Sequence, residues 1–417
     1  MSSYLTATFR SLRHRAYRLY FTGQIVSTVG TWAQKVAQAW LILELTGSGT
    51  LLGVTVGLQQ APTLFLTPWA GIIADRIDRR LMLLWTNWAA AVPAAGMGVL
   101  VLVDRATVPA IMLLAVLIGV VEAFDKPVRH TFAADIVPDE DVTNAVALNA
   151  TMFNAGKVLG PAAAGIAIGS VGVAATFLFN VFSFLIMVVA LIRIRGDEIR
   201  PRDLRPKERG ALRTGVAYAR RTPVIATALV LMTVTGLVAY EWNTAVPLLA
   251  REFSAKPEMI GYFFAAMGAG AIVGSLSLAG ILVAAPRTFL ASGTVFAVVL
   301  GVVSLAPTTW MALMGMFVLG AVATTFRALA TSLVQMESDP AVRGRMVSLL
   351  IMAINGTSPI SGPLIGWMSE TYGARVAIGV GAGVSLVAAG ACWRYLARAA
   401  PSRMAGFRSS APRRTYV

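Results

Sequence analysis

The sequence predicts an all-α protein that crosses a membrane about twelve times, arranged as two pseudo-symmetric six-helix halves. Three observations predict it. Hydrophobic residues make up 57% of the 417 and charged residues only 13%, with a mean hydropathy of +0.71; soluble domains average about a quarter charged. Apolar runs at 51–74, 81–103 and 172–192 reach the ~20 residues that a bilayer crossing takes. They do not alternate as barrel strands do, and lipid forces such backbones into helices. Third, landmarks recur at one approximate spacing along the chain.

Apolar runs and their punctuation place the spans near 17–45, 50–73, 81–103, 109–136, 142–169, 172–195, 222–250, 258–283, 287–306, 308–336, 344–369 and 374–398. The first 18 residues are basic and polar and the apolar segment after them is full length, so no cleavable signal peptide is expected. The fourth and seventh are long enough to project beyond the bilayer. Connections are short except for 196–221, a charged linker containing proline. It separates a six-helix bundle at 1–195 from a second at 222–417, which ends in a short basic tail.

Charge sets the expected orientation. With both termini and the even-numbered turns on one side, that side holds 29 of the 35 lysines and arginines and the other holds four. The asymmetry puts both termini and the linker in the cytoplasm and Ser48 outside. It also accounts for the net charge of +15, so no nucleic-acid partner is expected: there is no basic soluble domain to bind one. One cysteine, Cys392, excludes an intrachain disulfide, and the two histidines, His14 and His130, have no metal-ligand spacing. No nucleotide or nucleophile motif is present. An enzyme is not expected, nor a cofactor or metal.

The repeat has three landmarks. Residues 70–80 pair with 279–287, 160–165 with 362–366, and Arg129 with Arg327. A duplicated six-helix unit typifies secondary transporters, with the substrate site near the midplane between the halves.

Residues 71–80, GIIADRIDRR, resemble the loop 2–3 signature of the major facilitator superfamily, with Asp78 in place of the usual second glycine. Residues 156–165, GKVLGPAAAG, are similar to the fifth-helix stretch that this superfamily associates with export by antiport. Stretches at 31–53, 122–149 and 153–165 resemble the branch that includes enterobactin-exporter-type permeases and drug exporters. The resemblance implies a conformational latch at Gly71, Asp75, Arg76, Arg79 and Arg129, in which the Asp75 carboxylate meets Arg129 and the start of the eleventh span when the transporter faces outward. It also implies a bent, tightly docked helix at Gly156, Gly160, Pro161 and Gly165. Glycines let backbones approach, and proline removes a backbone donor.

Charges inside spans are the other candidates, because at membrane depth they face a cavity or a partner. Glu122, Asp125, Lys126 and Arg129 share one helix face by spacing. Glu122 lies ~20 Å along its span. They read either as a self-paired cluster or as a proton site, with Glu122, Asp125 and Glu241 as the coupling candidates. Gln34, Lys35, Gln38, Lys157, Glu241 and Arg327 are the candidates for a substrate cavity, although the glutamines could equally tie helices together. The expected function is export of a small amphipathic molecule, drug or siderophore-like, by proton antiport with alternating access, in a monomer in the plasma membrane lipid bilayer. The alternatives are a lipid or lysolipid flippase on the same fold, or a non-transporting membrane sensor or scaffold.

Overall fold

The computed structural model describes residues 9–74, 77–200, 211–278, 284–340, 342–399 and 401. Among these, every regular element is a helix. In order the α-helices are α1 (Arg15–Thr46), α2 (Gly49–Ala74), α3 (Arg79–Leu102), α4 (Val108–Asp135), α5 (Val142–Arg193), α6 (Ala211–Arg221) and α7 (Pro223–Val238). Then come α8 (Trp242–Phe253), α9 (Glu258–Leu278), α10 (Pro286–Ser304), α11 (Thr309–Glu337), α12 (Arg343–Asn355), α13 (Ser358–Tyr372) and α14 (Ala374–Ala399).

Local chemistry explains the ends. Gly47 stops α1 with φ 67° and returns its amide to the Leu43 carbonyl, the left-handed cap that glycine adopts without strain. Asp78 caps α3, accepting from the Arg80 amide at 2.7 Å and the Leu81 amide at 3.2 Å. The residue that replaces the expected turn glycine therefore acts through its side chain. Helices α7 and α10 open on Pro223 and Pro286, where a missing amide costs nothing.

Eight helical stretches among the described residues, with α12 and α13 taken as one, are long and apolar enough to cross a membrane. One of them, α5, is 52 residues long and contains a break at Gly172, with φ 85° and ψ 169°. Its two limbs supply the expected fifth and sixth crossings. The expected seventh and eleventh spans differ from a continuous reading. Each is a pair of short helices, α7–α8 across 239–241 and α12–α13 across Gly356 and Thr357. A transporter fold tolerates such breaks where protein surrounds the freed backbone. The end of the linker also differs from a plain charged segment: Ala211–Arg221 is helical, and its described part bends 108° from α7. Counting broken pairs as single crossings gives an arrangement consistent with twelve.

Two seams join the halves. Helix α2 packs on α13, and the first limb of α5 packs on α9. Both are made by small residues. A Cβ on Gly53 or Gly49 would strike the backbone of Gly362 or Gly366, and one on Gly261 would strike the Pro161 carbonyl. The second and eighth crossings are equivalent in the repeat, as are the fifth and eleventh, so one contact is made twice.

Candidate functional site

The seams run from the rim that carries Ser48. There Glu370 accepts from the Ser48 hydroxyl at 2.7 Å and the Thr50 amide at 2.8 Å, and Arg251 donates to the Leu43 carbonyl at 3.1 Å. This rim is closed. Along α5, one face carries Thr143, Ala147, Thr151, Asn154, Lys157, Pro161 and Gly165. Thr143, Ala147, Thr151 and Lys157 are exposed, whereas Pro161 and Gly165 are buried. The same face thus passes from accessible to sealed against α9, which describes a wedge narrowing toward the Ser48 rim.

At mid-membrane depth the fourth crossing brings its charges together as the spacing predicts. Glu122 pairs with Lys126 at 2.6 Å and with Lys35 of α1 at 3.7 Å. The Lys35 ammonium also stands 4.9 Å from the Trp32 ring centre. Asp125 pairs with Arg129 and accepts from the Thr86 hydroxyl at 2.8 Å. Lys35 and Gln38 line a small cavity with Gln59, Gln60 and Asn243, so residues from both halves meet there. Glu241 sits in the break between α7 and α8, 3% exposed, and accepts from Ser361 at 3.3 Å. Ser358 and Asn243 are also within hydrogen-bonding reach of it.

Several expected residues land elsewhere. Gln34 is turned away from the cavity, toward the N-terminal bundle, where it accepts from the Asn180 side chain at 2.5 Å. It neighbours Lys35 in sequence, but a step of one residue rotates a helical side chain by about 100°. Gly156 and Gly160 pack on Thr28 and Trp32 of α1, in their own half; only Pro161 and Gly165 meet the other half. Of the latch expected for the outward-facing state, only part is described. Arg129 turns to Asp125, one turn away on its own helix, and Arg79 reaches Asp135 at 2.5 Å. Gly71 lies in the last turn of α2, while Asp75 and Arg76 lie outside the described residues.

Sequence reasoning missed Asn180, Gln59, Thr86 and Asp135 as partners. Gln59 accepts from the Gln38 amide at 3.0 Å. None of the four stands at a helical spacing from its partner, so no local signal pointed to them.

A wedge of mid-membrane charges between two pseudo-symmetric helical halves defines a multi-pass secondary transporter. The family model described as "Transmembrane secretion effector" matches residues 6–409, and the chain belongs to this family of major facilitator transporters. Its relatives are distant. An uncharacterized MFS-type transporter of Bacillus subtilis is 25% identical over 60% of this chain and 60% of its own length. The staphyloferrin A transporter of Staphylococcus aureus is 24% identical over 64% of this chain and 67% of its own length. The multidrug efflux pump Tap of Mycolicibacterium fortuitum is 23% identical over 81% and 85%. Among solved structures, a bacterial homologue of ferroportin in an inward-facing state superposes with TM-score 0.74 over 92% of this chain and 99% of that one, at 15% identity. That likeness concerns the fold.

Proposed function

We propose that this protein exports a small amphipathic molecule across the plasma membrane, with both termini in the cytoplasm, in exchange for protons. The observation that carries the reading is the wedge. It is closed at the Ser48 rim, accessible along α5 from the other side, and lined at mid-depth by the charged face of α4. Such a shape admits a solute from one side only, and the seams would part for the opposite state. The efflux and siderophore names of the relatives support a cargo of that kind.

Glu122 is our first choice for the coupling group and Asp125 the second. Glu122 holds two ammonium groups, one on its own helix and one on α1. A shift of α1 within the N-terminal half that carries Lys35 away from Glu122 would remove one of them and favour proton uptake; a carboxylate losing a nearby cation binds protons more readily. Glu241, in the other half, is the third candidate. In proteoliposomes with an imposed pH gradient, the wild type is expected to accumulate an amphipathic dye, carboxyfluorescein or ethidium, against its gradient. Glu122→Gln is expected to abolish accumulation and leave downhill exchange. A wild type that never responds to the pH gradient would overturn the antiport reading.

A further inference from the structure

Two cations, Lys157 on the accessible face of α5 and Arg327 on α11, have no ion-pair partner among the described residues. Lys157 stands at the middle of the first limb of α5, beside the seam with α9: the next residue, Val158, is what a Cβ on Gly268 would meet. Arg327 stands on α11, in the other half. Among the described residues neither forms an ion pair, and no side-chain hydrogen bond to either is present. Arg327 lies instead over the Tyr240 ring, 5.9 Å from its centre. The charged groups that act on Lys157 are Arg327 and Lys35, both cations, and no carboxylate is among them.

The repeat makes this departure specific. Arg129, the counterpart of Arg327, is neutralised by Asp125 four residues before it. Four residues before Arg327 stands Ala323, whose carbonyl accepts the Tyr240 hydroxyl at 2.9 Å. One half therefore carries its arginine neutral and the other carries it bare. Unpaired charge at membrane depth is costly, and two like charges held close are costlier still. Such an arrangement persists where a third party supplies the opposite charge.

We infer that Lys157 and Arg327 form a two-sided anion site, taking a carboxylate or comparable organic anion on the exported molecule, with the Tyr240 ring beneath. Resting on the export reading above, it narrows the cargo to an anionic or zwitterionic class. An anion bridging α5 and α11 would screen their repulsion and draw the two halves together on the side that is accessible here. Cargo and closure of that side would thus be linked.

The test uses the full-length protein purified in detergent, in chloride-free buffer, with carboxyfluorescein as probe, ethidium as the cationic comparison, and binding read by anisotropy. Carboxyfluorescein is expected to bind. Lys157→Gln and Arg327→Gln are each expected to weaken it by about tenfold or more, and Lys157→Arg to retain it. Thermal melting separates this from a structural role. Without ligand, Lys157→Gln is expected to melt no lower than wild type, because it removes repulsion. Carboxyfluorescein is expected to raise the melting temperature of wild type but not of that variant. Equal binding by wild type and both glutamine variants would overturn the site. Stabilisation by chloride without carboxyfluorescein binding would also overturn it, in favour of a site for inorganic ions. If ethidium is exported by wild type while carboxyfluorescein neither binds nor stabilises, the export reading stands and the anion inference falls.

Discussion

Asp125 and Glu122 sit three residues apart, yet they sit in different electrostatic company. The Asp125–Arg129 pair is closed within one helix and largely buried, with both side chains near 12% exposed. Removing one partner strands the other charge, which costs about 3 kcal/mol or more. Asp125→Asn is therefore expected to lower the melting temperature markedly, and a second change, Arg129→Gln, to recover part of the loss. Glu122→Gln is expected to melt close to wild type while losing coupling, since Lys126 is 41% exposed and Lys35 is 22% exposed where it lines the cavity, so both ammonium groups can find water. A differential melting series on the four proteins checks both. At the edge of the fold, the Arg195 amide and the Arg15 guanidinium hold the Glu198 carboxyl below the usual range. Its contribution is present above the ordinary glutamate pKa and disappears as pH falls through the depressed value. The melting difference between wild type and Glu198→Gln is therefore expected to be largest near neutrality and to vanish in acid. The charged face of α4 was legible because helical spacing alone puts 122, 125, 126 and 129 together. The partners of Gln34 and Gln38 were not, because Asn180 and Gln59 lie 146 and 21 residues away.

Among the elements, α2, α5, α9 and α13 decide the conformation. Their contacts are backbone on backbone, so even a methyl group matters. A Cβ on Gly53 would meet the Gly362 carbonyl, and one on Gly366 the Gly49 carbonyl. Gly53→Ala is expected to loosen the closed rim without unfolding either half. A cysteine at Gln38, in the cavity beneath that rim, is then expected to react several-fold faster with an impermeant reagent added from outside than in the Gly53 parent. Unchanged labelling would show that the seam yields without opening. The sequence displayed half of this arrangement: Pro161, Gly165, Gly362 and Gly366 were visible as a repeated pattern. Their partners on α2 and α9 were not, because glycines in apolar runs carry no mark of which helix they meet. The break at 239–241 was silent, whereas that at 356–357 holds Gly356 and is followed by Pro359 in the first turn of α13, a signal the span reading passed over. A Cβ on Gly236 would meet the Thr357 hydroxyl and the carbonyls of Ala353 and Ile354, so the two broken spans lie against each other.

For the molecule as a whole, composition made the fold class legible, since a chain this apolar has few soluble alternatives. The sidedness of the membrane rests on charge and is open to a direct check. With Cys392, buried in α14, replaced by serine, a cysteine at Arg105 is expected to label in intact cells with an impermeant maleimide, and one at Arg13 only after permeabilisation. Both native residues are exposed, so accessibility differs only by side. The glycine seams carry a thermal consequence. Parting two surfaces that lack side chains exposes little apolar area, and newly wetted apolar area is what gives a transition its heat capacity. Opening of the Ser48 rim should therefore have a nearly temperature-independent enthalpy, and its equilibrium constant should follow a straight van 't Hoff line through the range over which the folded protein survives.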